Sequence, residues 1–379
     1  MRYFLGKNAA LKLLEEPCAY NMLTDELYEL DAESFAYLRS CASDEGCSSG
    51  NAEFISYCIK EGILDDHPGP AKRPPIEQAP TPSLRYLELQ ITDRCNLRCA
   101  HCFVGDSKGR EMSLEEVRRV LSEFERMQGL RLLITGGEPA LHREFAAING
   151  MLPEFHFRKV LFSNGIALTD KLLRALNVHE IQISIDGMRS AHDSIRGAGA
   201  YEKAMDAAQR SIAMGIATSI STMVHPANVD DFEEMDTLFK KMGVRDWSVD
   251  VPCSYGRMSE HPEISISPEV GGRLLQYGFG EGLHGGAGGY ACGVHLMSVM
   301  ADGKAAKCSF YADDAVGHIS EGLRQCWGRI RPIKLSELEC DCAMVEACRG
   351  GCRFRAAQLG GPLGRDLFKC ASMGYKPSK

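Results

Sequence analysis

Cys95-Asn96-Leu97-Arg98-Cys99-Ala100-His101-Cys102 decides how this chain is read. Three thiols sit within eight residues, directly behind an apolar run from Leu84 to Thr92. Three thiolates can hold three irons of a four-iron cluster and leave the fourth iron without a protein ligand. An open iron is a place for chemistry rather than for electron storage alone. The competing reading is a zinc ion held by the three cysteines and His101, a donor set that zinc also accepts. The eight residues favour the cluster, and the rest of the chain adds weight on the same side.

The spacing Cys-x3-Cys-x2-Cys resembles the signature of the radical S-adenosylmethionine (SAM) enzymes. The resemblance implies that the open iron binds the amino and carboxylate groups of SAM and that electron transfer yields a 5′-deoxyadenosyl radical. Gly136-Gly137-Glu138-Pro139 lies 34 residues after Cys102, at the end of the next predicted strand. Two glycines let backbone approach a ligand closely, and a neighbouring carboxylate accepts hydrogen bonds from an ammonium group. In the resembled family this motif holds the SAM amino group. The resemblance further implies that Ser184 contacts SAM, with Asp186 beside it, and that Arg196 pairs with the SAM carboxylate, a geometry that suits a guanidinium fork. The plain alternative for Arg196 is a surface ion pair with Asp193. Ser163-Asn164 should line the same pocket, with His101 and Phe103 near the adenine.

The bulk numbers describe an ordinary globular protein of two or three domains: 379 residues, 44% hydrophobic, 25% charged, net charge −8. That charge gives no case for nucleic acid or an acidic membrane. The first residues lack the apolar core of a signal peptide, and no run approaches the ~20 apolar residues of a membrane span. A cytoplasmic protein is expected. The 16 cysteines would suggest disulfides in a secreted chain, but here they cluster at motif-like intervals and read as metal or cluster ligands. Cys18, Cys41, Cys47 and Cys58 fit no such pattern and read as buried structural thiols.

Residues 67–83 carry six prolines and read as a linker. Before it, Ala9–Glu16, Ala19–Thr24 and Glu26–Leu30 look like short strands. Asp31 caps a helix from Ala32, and a second helix is expected from Ala52 to Gly62. Three strands followed by helices resemble the winged-helix domain called a RiPP recognition element. There the leader of a ribosomal precursor peptide adds a strand to the sheet edge. A packing module or nucleic-acid-binding winged helix is the alternative.

From Leu84 onward strands and helices alternate, which implies a parallel sheet. Strands are expected at Leu84–Thr92, Leu130–Thr135, Lys159–Ser163, Glu180–Asp186, Ala217–Val224 and Asp246–Val251. Ser113 to Glu116 forms a capping box that opens the first helix. The fold class is therefore α/β. The resemblance implies a partial (β/α)6 TIM-like barrel over residues 84–285, with the site at the C-terminal strand ends. The loop Gly280–Gly289 lacks a phosphate-binding context and reads as a connection.

The C-terminal cysteines are the second strong signal. Ten residues separate Cys292 from Gly303 and four more lead to Cys308; then come Cys340, Cys342, Cys348, Cys352 and Cys370. This resembles the seven-cysteine SPASM extension of radical SAM peptide-modifying enzymes, here residues 286–379. One departure is the single residue between Cys340 and Cys342, where the family has two. The resemblance implies two auxiliary iron–sulfur clusters, one on Cys292, Cys308 and Cys352, the other on Cys340, Cys342, Cys348 and Cys370. The first lacks a fourth ligand; Cys253, Cys326 or a substrate thiolate are the candidates. The whole resemblance implies a maturase that crosslinks a ribosomal precursor peptide, with a cysteine thioether as product and a flavodoxin- or ferredoxin-type reductant. Alternatives are carbon–carbon or carbon–oxygen crosslinks, formylglycine formation, haem or quinone cofactor synthesis, and an iron–sulfur redox sensor without turnover. Formylglycine-forming enzymes usually carry an Asp after the Gly-x4-Cys cysteine, where this chain has Ser309.

Overall fold

Strand β1 (Phe4–Leu5) pairs antiparallel with β5 (Leu64–Asp65) and closes a small N-terminal unit. Inside it, β2 (Ala9–Leu13), β3 (Pro17–Asn21) and β4 (Glu26–Glu29) form an antiparallel sheet in that order. Helices α1 (Ala32–Cys41) and α2 (Ala52–Lys60) follow, capped by the Asp31 and Asn51 side chains. Each cap satisfies an otherwise orphaned helix N–H. One sheet face, with Leu11 and Ala19, packs on Phe35, Leu38, Ile55 and Cys58 of the helices. The other buries Cys18, Tyr20 and Met22 against Leu130 of the neighbouring domain. This computed structural model describes residues 2–48, 51–69, 73–280, 282, 284 and 288–375. Part of the expected linker and of the glycine-rich loop, residues 70–72, 281, 283 and 285–287, lies outside them. The rest of the linker is strapped to the N-terminal unit. Arg73 donates to the carbonyls of Leu5, Gly6 and Ala9, and Gln78 to that of Leu14.

The central sheet has nine strands. Six are parallel and in sequential order: β6 (Leu84–Thr92), β7 (Arg131–Gly136), β8 (Arg158–Ser163), β9 (Glu180–Ser184), β10 (Ala217–Met223) and β11 (Trp247–Asp250). Sequential order with right-handed crossovers puts every connecting helix on one face. These helices are α3 (Leu114–Arg126), α4 (Phe145–Met151), α5 (Asp170–Ala175), α6 (Arg189–Arg196), α7 (Ala200–Ala213) and α8 (Phe232–Met242). Ser113 and Glu116 make the reciprocal capping box expected for α3. The helix-facing side chains of the strands, among them Leu87, Leu89, Ile134, Leu161, Ile183 and Trp247, form the main core with the helices. The α/β expectation holds.

The C-terminal region is continuous with this sheet. After α9 (Pro268–Leu274) and β12 (Tyr290–Cys292), β13 (His295–Val299) pairs parallel with β6, and β14 (Lys304–Ala306) and β15 (Gly317–His318) extend the sheet antiparallel. Then come α10 (Leu323–Arg329), β16 (Ile333–Lys334), α11 (Val345–Cys348), α12 (Arg353–Leu359) and α13 (Leu367–Ser372). Helix α13 packs on α9 at Gly271 and Gly272, where an added Cβ would meet the Phe368 ring at 2.8 Å and Ala371 Cβ at 2.5 Å. No helix among the described residues is long and apolar enough to cross a membrane.

The N-terminal unit plugs the lower end of the parallel strands. The tip of its β3–β4 hairpin brings in Asp25, which has a positive φ of 72° that Asp tolerates better than most residues. Asp25 is 4 % exposed and meets Arg131, Arg158, His284 and the Tyr20 hydroxyl. Arg158 also donates to Met22 and Leu23 carbonyls at 2.8 and 2.7 Å and pairs with Glu180 at 2.6 Å. Removing one member of a buried charge set leaves its partners unpaired, at a cost of ~3–5 kcal/mol. Asp25→Ala is therefore expected to loosen the hairpin from the central sheet by about 3–5 kcal/mol. Amide hydrogen exchange should speed up across residues 9–29 while strands β9 to β11 keep their protection.

Candidate active site

Every second strand residue faces away from the helices, and on this face the lining is polar. Glu88, Thr135, Gln182, Ser184 and Ser221 line a cavity of ≈ 300 Å³ at the C-terminal strand ends. The same cavity is lined by Cys95, Cys99, Cys102, His101, Phe103, Gly136, Gly137, Ser163, Asn164, Asp186 and Arg196. All of these were expected site residues. Glu138 and Pro139 sit just behind, both buried. Burial pushes the carboxyl group of Glu88 up from its ordinary value.

The cysteine loop leaves β6 and is fastened from several sides. Asp93 accepts from Ser107 Oγ and from the amides of Lys108 and Arg110. The glycines of the next strand press directly against it. An added Cβ on Gly136 would meet the Thr92 carbonyl oxygen at 2.6 Å, and one on Gly137 the Arg94 oxygen at 2.5 Å. Glu138 N donates to that Arg94 oxygen at 2.7 Å. Close backbone approach, rather than a positive φ, is what demands glycine here. From the far side, Arg257 donates to the Cys99 carbonyl at 3.0 Å and pairs with Asp106, while Gly256 abuts the Cys102 carbonyl. No motif marks Arg257, so this brace has no sequence signal.

Glu138 is fully buried; Ser163 Oγ and Asn164 N donate to it at 2.9 Å each. Burial pushes its carboxyl up to about 7, against those hydrogen bonds. Asn164 Nδ2 donates in turn to Asn96 Oδ1 at 2.7 Å. A buried carboxyl group with no cation on it favours a positively charged ligand group.

Arg196 ends α6 and turns inward. Its Nε donates to Asp186 Oδ2 at 2.5 Å, its Nη2 faces His101 Nε2 at 3.3 Å, and its Nη1 reaches Cys99 Sγ at 4.0 Å. The alternative of a surface pair with Asp193 is overturned. Asp193 instead accepts from the Gly199 and Tyr201 amides and holds the next helix start. Burial alone would raise Asp186, but the Arg196 guanidinium holds it well below the usual carboxylate range. Burial lowers His101 to about 3, so its ring is neutral. Arginine only donates, so Nε2 accepts and the proton sits on Nδ1. Nδ1 is buried and has no hydrogen-bond partner.

The C-terminal cysteines fall into two groups. Cys292, Cys308 and Cys352 lie close enough for their charges to act on one another, and so do Cys340, Cys342, Cys348 and Cys370. Cys253, just past β11, lies close enough to Cys352 to interact with it and also lines the lumen cavity. Cys326 is elsewhere: its thiol donates to the His318 carbonyl and is fully buried in the main core. Among the described residues, the one trio of His, Cys, Asp or Glu ligand atoms all within 4.8 Å is Asp65, Asp66 and His67, on the surface.

The radical SAM superfamily model matches residues 89–239. The chain is 32% identical over 164 residues to mycofactocin maturase MftC of Mycobacterium tuberculosis (strain CDC 1551 / Oshkosh), covering 41% of this chain and 42% of that protein. Against MftC of Mycolicibacterium smegmatis it is 26% identical over 314 residues, 73% of this chain and 80% of that one. The chain thus spans less than half of the first relative and most of the second. Among solved structures, Streptococcus suis SuiB bound to precursor peptide SuiA superposes with a TM-score of 0.71 at 14% identity, over 98% of this chain and 100% of that one. The match falls on the cysteine loop, the Gly-Gly-Glu clamp and the buried arginine: residues 89–239 carry the likeness to the radical SAM superfamily.

Proposed function

We propose that this chain is a radical SAM maturase that oxidatively crosslinks a ribosomally made precursor peptide, with a cysteine thioether as product. The observation that carries the reading is the single lumen cavity. Cys95, Cys99 and Cys102 line it with Gly136, Ser184 and Arg196, and Cys253 reaches it from the second cysteine group. The mycofactocin maturase relatives and the peptide-bound SuiB fold support a peptide as substrate.

The residues present fit a four-iron cluster and SAM. Cys95, Cys99 and Cys102 would hold the cluster and leave one iron open. The Gly136-Gly137 cradle, which a Cβ would fill, and the cation-free carboxyl group of Glu138 suit the SAM amino group. The Arg196 fork suits its carboxylate. The orphaned Nδ1–H of His101 suits an acceptor nitrogen of adenine. When bound and reduced by a flavodoxin- or ferredoxin-type donor, the pair supplies a 5′-deoxyadenosyl radical. The protein's own part is to orient the peptide carbon, keep water from the lumen and accept what the oxidation releases.

In this reading Cys292, Cys308 and Cys352 hold one auxiliary cluster with Cys253 as fourth ligand, which leaves Cys326 out. Cys340, Cys342, Cys348 and Cys370 hold the other. With all four positions held by cysteines, the first would supply an electron acceptor rather than a site for a substrate thiolate. The N-terminal unit, residues 1–66, would take the leader peptide. Strand β4 is the outer strand of its sheet, and beside it the exposed Tyr57 ring meets Tyr28 edge to face, with Ile59 exposed on the same helix. An added strand would hydrogen-bond β4 and set its side chains on these residues.

Three outcomes test the proposal. A Cys95→Ala, Cys99→Ala, Cys102→Ala triple variant should keep its auxiliary iron and form no deoxyadenosine with dithionite and SAM. Iron analysis with Mössbauer spectroscopy should find that Cys253→Ala perturbs one auxiliary cluster, whereas Cys326→Ala matches the unmutated protein. Finally, Tyr57→Glu with Ile59→Glu should raise KM for the peptide encoded beside the gene by about tenfold or more, equivalent to ~1.4 kcal/mol, with kcat little changed. Equal KM would point to a packing role for the unit.

A further inference from the structure

One lumen carboxyl group has no role so far. Glu88 projects from the middle of β6 toward the lumen, while its neighbours Leu87 and Leu89 face the helices. Ser298 Oγ donates to it at 2.5 Å, and Ser309 stands close by in the same cavity wall. Asp25, Glu180 and Asp186, all buried, are each held by arginines. Half-buried Glu88 is like Glu138 instead: a serine hydroxyl holds it, and no ion pair is made to it among the described residues. It is also placed between the two halves of the chemistry. It lines the cavity of Cys95, Cys99 and Cys102, and it lines a second cavity of ≈ 200 Å³ between β6, β13 and residues 103–110. Phe103 and Val104 border both cavities, and Ser309 directly follows Cys308.

We propose that Glu88 is the proton acceptor for the peptide substrate. This rests on the peptide-maturase reading above. The balance of the reaction requires such a group. The deoxyadenosyl radical takes a hydrogen atom from a peptide carbon and becomes deoxyadenosine. When the carbon radical joins a substrate S–H group, one bond forms, the S–H bond breaks, and one proton and one electron are left over. The electron reduces an oxidised four-iron auxiliary cluster. The proton goes to the Glu88 carboxylate. With Cys253 as the fourth ligand of the cluster beside Cys308, no open iron remains there to carry the thiolate, so a protein base has to take the proton. Positioned general bases contribute ~10²–10⁴-fold.

The test uses the full chain with reconstituted iron and sulfide, dithionite, SAM and the precursor peptide encoded by the small reading frame beside the gene. Glu88→Gln is expected to lower crosslinked product by about 100-fold or more, with deoxyadenosine still formed, so that the two uncouple. In D2O the peptide recovered from this variant should carry one deuterium, the mark of a carbon radical that was made and then quenched. Glu88→Asp should recover part of the coupling. Glu88→Gln with the wild-type ratio of deoxyadenosine to product overturns the assignment. So does parallel loss of product, deoxyadenosine and iron in both variants, which marks a structural role. A wild-type enzyme that leaves the peptide mass unchanged overturns the peptide reading, and the Glu88 proposal with it.

Discussion

A charge moved out of water has to be paired, and this requirement shapes the molecule from one end of the strands to the other. Six parallel strands enclose a face that is polar rather than filled with branched side chains. At its upper end Asp186 and Arg196 neutralise each other within reach of Cys99 and His101. At its lower end Asp25 meets Arg131 and Arg158, and Arg158 meets Glu180. Each pair fixes side chains that could not stay ionised alone. The upper pair holds the arginine in the cavity instead of on the surface. The lower pair seats the N-terminal hairpin, so docking of the small unit and closure of the lumen floor are the same event.

Much of this was legible in the sequence, because the signals were local. The six strands lie within a residue or two of the expected positions, since β-rich runs alternate with capped helices. The cysteine triplet, the Gly-Gly-Glu turn and Ser184 all fall at strand ends, where a βα unit places them. Arg196 lines the lumen cavity and Glu138 sits just behind it.

What escaped was long-range. Arg257 braces the cysteine loop from 158 positions away, and no local pattern announces that. Glu88 is one polar letter in an apolar strand; its meaning depends on which face of the sheet encloses the cavity. The choice between Cys253 and Cys326 could not be made from spacing. It turns on which of two distant thiols the fold carries to Cys352. The proline-rich stretch reads as a free connector, yet Arg73 and Gln78 spend their donors on carbonyls of the first strands.

The pairing of β13 with β6 has a consequence for solubility. Without it, the nine residues Leu84–Thr92 would be the open margin of the sheet, long and mostly apolar. Such a margin invites another chain to add a strand. The cysteine-rich region covers it with the parallel strand β13, adds two short antiparallel strands and ends the sheet at β15, which is two residues long. The opposite margin, β11, is four residues long and is bridged by Phe279. The region that gathers the second set of thiols is therefore also the hem of the sheet. A chain cut before it would expose that margin, and strand pairing between chains would compete with folding.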